Sequence, residues 1–220
     1  MNKLAPLALL LLLFFGGALW YLANSELNAN IRGRIIDVSN YYTDQTLTID
    51  KVAIDLTSGS GEIYGVKLQN PTNFKHKNML EISQISFTFD AKSISSGLIH
   101  IQHITLNDSH FYIEKTVDTK GNSATNFSTL YQRLNDKIAL IQDRRKQKAE
   151  PYIQVETINL LESTQHIFNL AKEQPITNQI IKKQTLNAVG ADDGLPASLF
   201  GIEVLRKTIE TVLTTQASTR

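Results

Sequence analysis

The chain has no cysteine, and that single absence removes disulfides, thiolate metal sites and cysteine nucleophiles together. Histidine is scarce, at five residues in 220, so the metal and acid–base options narrow further. An excess of one charge is also missing. Lys plus Arg number 22 against 21 Asp plus Glu, a formal net charge of +1, which gives no electrostatic reason to expect a nucleic acid partner. The sequence has no nucleophile elbow, no His-Glu-x-x-His and no phosphate-binding loop. Gly59, Gly61 and Gly65 lack the spacing of a dinucleotide fingerprint and read as turn and strand glycines. No catalytic group and no cofactor is expected. The hydrophobic share of 42% is ordinary, but much of it lies near the N-terminus, leaving enough for one modest domain.

Leu4 to Ala23 reads LAPLALLLLLFFGGALWYLA, without a charge, and at about 1.5 Å per residue it covers roughly the 30 Å hydrocarbon core of a bilayer. A cleaved signal peptide is the rival reading, with Lys3 as its basic start and Gly16 and Ala18 as small residues before a cut. The apolar run continues through Leu19, Trp20, Tyr21 and Leu22, and the aromatic pair suits a retained helix leaving the membrane. Residues 1–25 are therefore expected to be a transmembrane anchor, with a short N-terminal tail inside and the remainder exported. Ser25 caps an expected linker helix over 26–44, in which Leu27, Ile31, Ile35 and Val38 recur at helical spacing.

From Thr46 onward one string recurs: apolar, any, apolar, any, any, apolar, any, apolar. Its copies are Leu47, Ile49, Val52, Ile54; Leu80, Ile82, Ile85, Phe87; Ile99, Ile101, Ile104, Leu106; and Ile153, Val155, Ile158, Leu160. Strand side chains alternate, so an extra residue at Asp50-Lys51, Ser83-Gln84, Gln102-His103 or Glu156-Thr157 keeps both halves of each string on one face while bending the strand, and strands bent at the same level make a curved sheet with an apolar concave face. The expected fold class is α+β: an N-terminal transmembrane helix, then a curved, bulged, mostly antiparallel sheet over 45–220 with a few amphipathic helices packed on it.

Leu130, Leu134, Ile138 and Ile141 mark one such helix and Leu205, Ile209, Val212 and Leu213 a closing one. The basic run Arg144, Arg145, Lys146 and Lys148 reads as a solvated helix end. His100, His103 and His110 lie on strand pattern and are not expected to bind metal.

The order of these features resembles the AsmA-like proteins, bacterial inner-membrane-anchored periplasmic proteins related to TamB. The resemblance is carried by GSGEIYGVKLQNP (Gly59 to Pro71), the strand LEISQISFTFD (Leu80 to Asp90), LIHIQHITL (Leu98 to Leu106), Phe111 to Glu114, the helix start around Asn126 and AVGADDGLPASLFGIEVLRKTIETVL (Ala188 to Leu213). It covers nearly the whole chain, in degenerate motifs. It implies a single-pass inner-membrane protein with its bulk in the periplasm, non-enzymatic, serving envelope assembly or lipid transport and homeostasis. Strands stack at about 4.8 Å, so a chain of this size is too short to bridge a periplasm.

The expected lipid groove is the apolar sheet face, lined by Ile49, Val52, Ile54, Ile82, Ile85, Phe87, Ile101, Ile104, Leu106, Val155 and Ile158. Two clear helices are too few to cover it, so acyl chains of membrane phospholipid, or an envelope protein, are the expected partners. The alternative is an assembly factor whose core is filled from within and whose sheet edge recruits an envelope protein without binding lipid.

Overall fold

A computed structural model describes residues 26–117, 123–142, 151–169, 174–190 and 193–217. Helix α1 occupies 26–43. It is followed by β1 (Leu47–Thr48), β2 (Lys51–Asp55), β3 (Ser60–Gln69), β4 (Asn78–Phe89), a 3-10 turn (Ala91–Ser96), β5 (Leu98–Val117) and β6 (Ser123–Thr125). Then come α2 (Asn126–Gln142), β7 (Tyr152–Leu160), β8 (Ser163–Asn169), β9 (Gln174–Ile181), β10 (Gln184–Val189), β11 (Leu195–Pro196) and α3 (Ala197–Ala217).

All the strands belong to one open sheet whose main path runs β1, β3, β4, β5, β7, β10. Pairing is antiparallel except at β5, which meets β7 and β8 in parallel. Parallel neighbours need a long crossover, and α2 lies within it. The expected α+β class with a large, mostly antiparallel sheet and few helices is what the chain forms. Among the described residues no helix is long and apolar enough to cross a membrane, and the stretch Leu4 to Ala23 falls outside them.

Several strands are halves of longer ones. Leu47 faces Leu68 and Val52 faces Ile63 in a register that does not change across the gap between β1 and β2. The same constancy links Val66 to Ile82 and Tyr64 to Gln84, then Ile82 to Ser109 and Gln84 to Asn107. It continues from Leu106–Leu160 to Ser109–Ser163, and from Gln184–Leu160 to Ser163–Ile181. A row of residue pairs therefore crosses the sheet at one level: Asp50-Lys51, Tyr64-Gly65, Ser83-Gln84, Asn107-Asp108, Leu161-Glu162 and Lys182-Lys183. Each strand resets its alternation there, so apolar residues on both sides of the row share a face.

Two sequence expectations are corrected by this row. Asp50-Lys51 and Ser83-Gln84 are not single insertions against straight partners; every strand adds the same residues together, and the register survives. Nor do all four strings bend at one level. Gln102-His103 and Glu156-Thr157 form a second row with Asn187-Ala188, and β4 does not follow it: its register with β5 shifts between Thr88 and Phe89, a true bulge. The backbone shows the cost of these resets. Gly65 at φ 63° and Asp108 at φ 50° lie in the first row and Ala188 at φ 24° in the second. A Cβ on Gly65 would sit 1.9 Å from the Asp50 carboxylate, so the row needs glycine there.

All three α-helices among the described residues join one core. Ile31, Ile35, Ile36, Val38 and Tyr42 of α1 pack with Phe127, Leu130 and Leu134 of α2, with Leu199, Phe200, Ile202, Ile209 and Val212 of α3, and with the apolar sheet face. Helix α1 thus belongs to the body of the fold instead of linking to it. Arg206 ties α3 to α2, since its guanidinium pairs with Glu203 at 2.6 Å and donates to the Tyr131 hydroxyl at 3.2 Å.

Candidate functional site: the apolar face and its half-open end

The structure places the groove candidates in two groups. Ile49, Val52, Ile82, Ile101, Ile104, Leu106, Val155 and Ile158 are buried in the common core. Ile54, Ile85 and Phe87 are only half-buried. The expectation of a largely uncovered face is therefore corrected. Three helices, not two, pack on it, because α1 contributes an apolar side and α3 begins earlier than its sequence stripe, adding Leu199, Phe200 and Ile202.

The half-buried apolar residues of the sheet fall in more than one place: Ile99, Ile153 and Leu195 are neighbours on β5, β7 and β11, and another group lies on β2, β3 and β4. Ile63 pairs with Ile85, Gly61 pairs with Phe87 and Ile54 pairs with Gly61, so Ile54, Ile63, Ile85 and Phe87 form one patch on β2, β3 and β4 beyond the first row. The Phe87 ring lies over Gly61, where an added Cβ would stand 2.2 Å from its Cζ. Asn28, near the start of α1, accepts from the Ile54 N–H at 3.1 Å. The open patch is thus at the end of the sheet where the chain arrives from the apolar stretch Leu4 to Ala23. A cleft of about 360 Å³ opens here, touching Ile54, Gly61 and Phe87 but lined mostly by polar or charged residues, among them Asp55, Glu62, Ser86, Thr88 and His103. That volume is at the low end for small-molecule sites.

At the opposite end of the sheet lies a buried polar knot. Glu114 is fully buried, and its carboxylate accepts from the backbone N–H of Lys75 at 2.8 Å and of His76 at 2.7 Å and from Asn70 at 3.0 Å. Asn126, also fully buried, accepts from the N–H of Glu114 and Phe127 at 3.0 Å each and donates to Asn70 and to the Tyr112 carbonyl at 2.7 Å each. Asn70, Glu114 and Asn126 stand far apart in sequence, and each falls in a segment that carries the family resemblance. Together they lock the loop after β3, the end of β5 and the start of α2. Their role is architectural: each polar atom is spent on another protein group.

The outer face carries a ladder of rings. His76 stacks on Tyr112 at 3.9 Å, Tyr112 on His166 at 4.6 Å, and His166 on His110 at 5.4 Å between centroids. Hydrogen bonds run alongside, from His166 to Asn178 at 2.9 Å, His166 to His110 at 3.1 Å and His110 to Asp108 at 3.1 Å. Asp108 also accepts from Ser83. That hydroxyl holds the Asp108 carboxyl below its ordinary range, against an opposing effect of burial and with a lesser contribution from His110. Burial, then Glu81, pushes the Tyr112 phenol up.

The histidines singled out in the sequence do not come together: His100 pairs with Glu156 at 3.1 Å, His103 with Thr157 at 2.6 Å, and His110 with the ladder. Among the described residues no group of three or more His, Asp or Glu is placed to hold a metal ion. Arg144, Arg145, Lys146 and Lys148 lie outside the described residues.

Compared with protein-family models and with curated proteins, the chain matches none.

Proposed function

We propose that this is a non-enzymatic, membrane-anchored protein of the Gram-negative cell envelope, AsmA-like in kind, that holds a phospholipid acyl chain at the end of its sheet nearest the membrane. In this reading Leu4 to Ala23 spans the inner membrane once and the rest of the chain lies in the periplasm, where it serves outer membrane assembly or lipid homeostasis. The observation that carries the proposal is the position of the half-buried patch. Ile54, Ile63, Ile85 and Phe87 form one contiguous group among the half-buried apolar residues of the sheet, and they lie beside the start of α1, which follows the apolar stretch in sequence. Exposed apolar area costs about 25 cal/mol per Å² in water, so an occupant entering from a bilayer stabilises such a patch. The burial of Ile82, Ile101, Ile104, Leu106, Val155 and Ile158 argues against a conduit running the length of the sheet and for a short site that shields one chain.

Native mass spectrometry of the full chain, extracted in mild detergent, tests this. A stoichiometric phospholipid that is lost in Phe87→Glu is the expected result. A lipid-free protein, or lipid retained equally by the variant, contradicts the reading.

A further inference from the structure

We propose that the far edge of the sheet, formed by β9 and β10, receives an extended segment of another protein whose acidic residues meet Lys182-Lys183. The two edges of the sheet differ. At the first, α1 satisfies the outward backbone groups with side chains: Asn28 takes the Ile54 N–H, Arg32 donates to the Asp50 carbonyl at 3.0 Å and Asn40 takes the Leu47 N–H at 2.7 Å. That edge is closed along both halves and at the crossing row. On the other side, β9 pairs only with β8 and β10 only with β7, so among the described residues no strand lies outside them. Lys207 of α3 reaches the Ala188 carbonyl at 3.4 Å, near one end. The 8 residues of β9 and 6 of β10, with the pair between them, offer an edge of roughly 50 Å at about 3.3 Å per residue.

Charge chooses the occupant. Lys182 and Lys183 are both exposed and sit midway along the edge, in the first row. A second copy pairing antiparallel along the full edge would bring its own Lys182-Lys183 against these, and like charges directly opposite are destabilising. A strand that carries Asp or Glu at the level of the row pairs with these ammonium groups instead. Strand addition also continues the apolar face past Ile181 and Leu186, so the partner is expected to alternate, with apolar residues on the helix-covered side.

The proposal does not depend on lipid binding, and the test keeps the two apart. A photo-crosslinking residue is placed at Ile180 or at Thr185 in the full chain in cells, and the adducts are sequenced. The expected result is that both positions map onto one segment of one other protein, in a single direction and about five residues apart, with an acidic residue between. Lys182→Glu with Lys183→Glu should lower the adduct yield at least tenfold while the lipid content is unchanged. Adducts with a second copy, with lipid only, or scattered over unrelated proteins overturn the proposal. So does a charge-reversed chain that crosslinks as well as the parent.

Discussion

Glu114, Asn126 and Gly65 carry more of this fold than their neighbours, for three physical reasons. A buried carboxylate holding two backbone N–H groups has no neutral substitute: Gln places a donor where Lys75 or His76 already donates. Glu114→Gln should cost on the order of 3 kcal/mol and Asn126→Ala about 2–4 kcal/mol, since each leaves buried groups unpaired. Thermal unfolding of the full chain in detergent, followed by circular dichroism, measures both. Gly65→Ala should be destabilising by about 1–3 kcal/mol in the same assay, because its positive φ and the Asp50 carboxylate both reject a Cβ. Asp108 supplies a titration. Its folded pKa lies below the unfolded value, so its contribution is present above the unfolded pKa and fades as pH falls through the lower folded one. Ser83→Ala removes the largest cause, and an NMR titration of the Asp108 carboxyl should then show its pKa rise toward the ordinary value.

Element by element, the sequence was legible where apolar residues marked both halves of a strand and opaque where polar ones did the same job. The four strings reported β1 with β2, β4, the first half of β5, and β7. Strand β3 follows the same rule with Gly61, Ile63, Val66 and Leu68, but a glycine under the Phe87 ring counts as apolar only once the ring is seen. The second reset of β5 was hidden because Ser109 stands between Leu106 and Phe111, and β8 because Ser163 and Gln165 face the core. The two unmarked residues of each string are mostly polar because both point outward at the row. That regularity fixed the bend positions in sequence, though only the register shows which bends align. Helix α1 was read from its spacing, but its edge-closing residues Asn28, Arg32 and Asn40 carry no sequence signal, since their partners are backbone groups.

Replacing Asn28 and Asn40 together by Ala should therefore do more than destabilise: it opens a strand edge, and light scattering on warming should show self-association that begins below the unfolding midpoint. Arg206→Ala breaks the tie between α3 and α2. It should raise hydrogen exchange along α3 while the amides of β4 stay protected.

For the whole molecule, the rows that reset the strands let one sheet present a continuous apolar face to the three described helices, and their cover is incomplete over Ile54, Ile85 and Phe87. The buried candidates Ile104 and Leu106 and the half-buried Phe87 lie on that same face, and only their cover differs. In the proposed function the groove expected from the sequence contracts to a short site at the end where the chain enters, and the difference in cover between Phe87 and Ile104 decides it. Photo-crosslinking residues at Phe87 and at Ile104 in the full chain, activated in cells and analysed by mass spectrometry, compare the two positions directly. Phospholipid adducts at Phe87 together with only intramolecular adducts at Ile104 are the predicted result; intramolecular adducts alone at both positions, or lipid at Ile104 as readily as at Phe87, would contradict it.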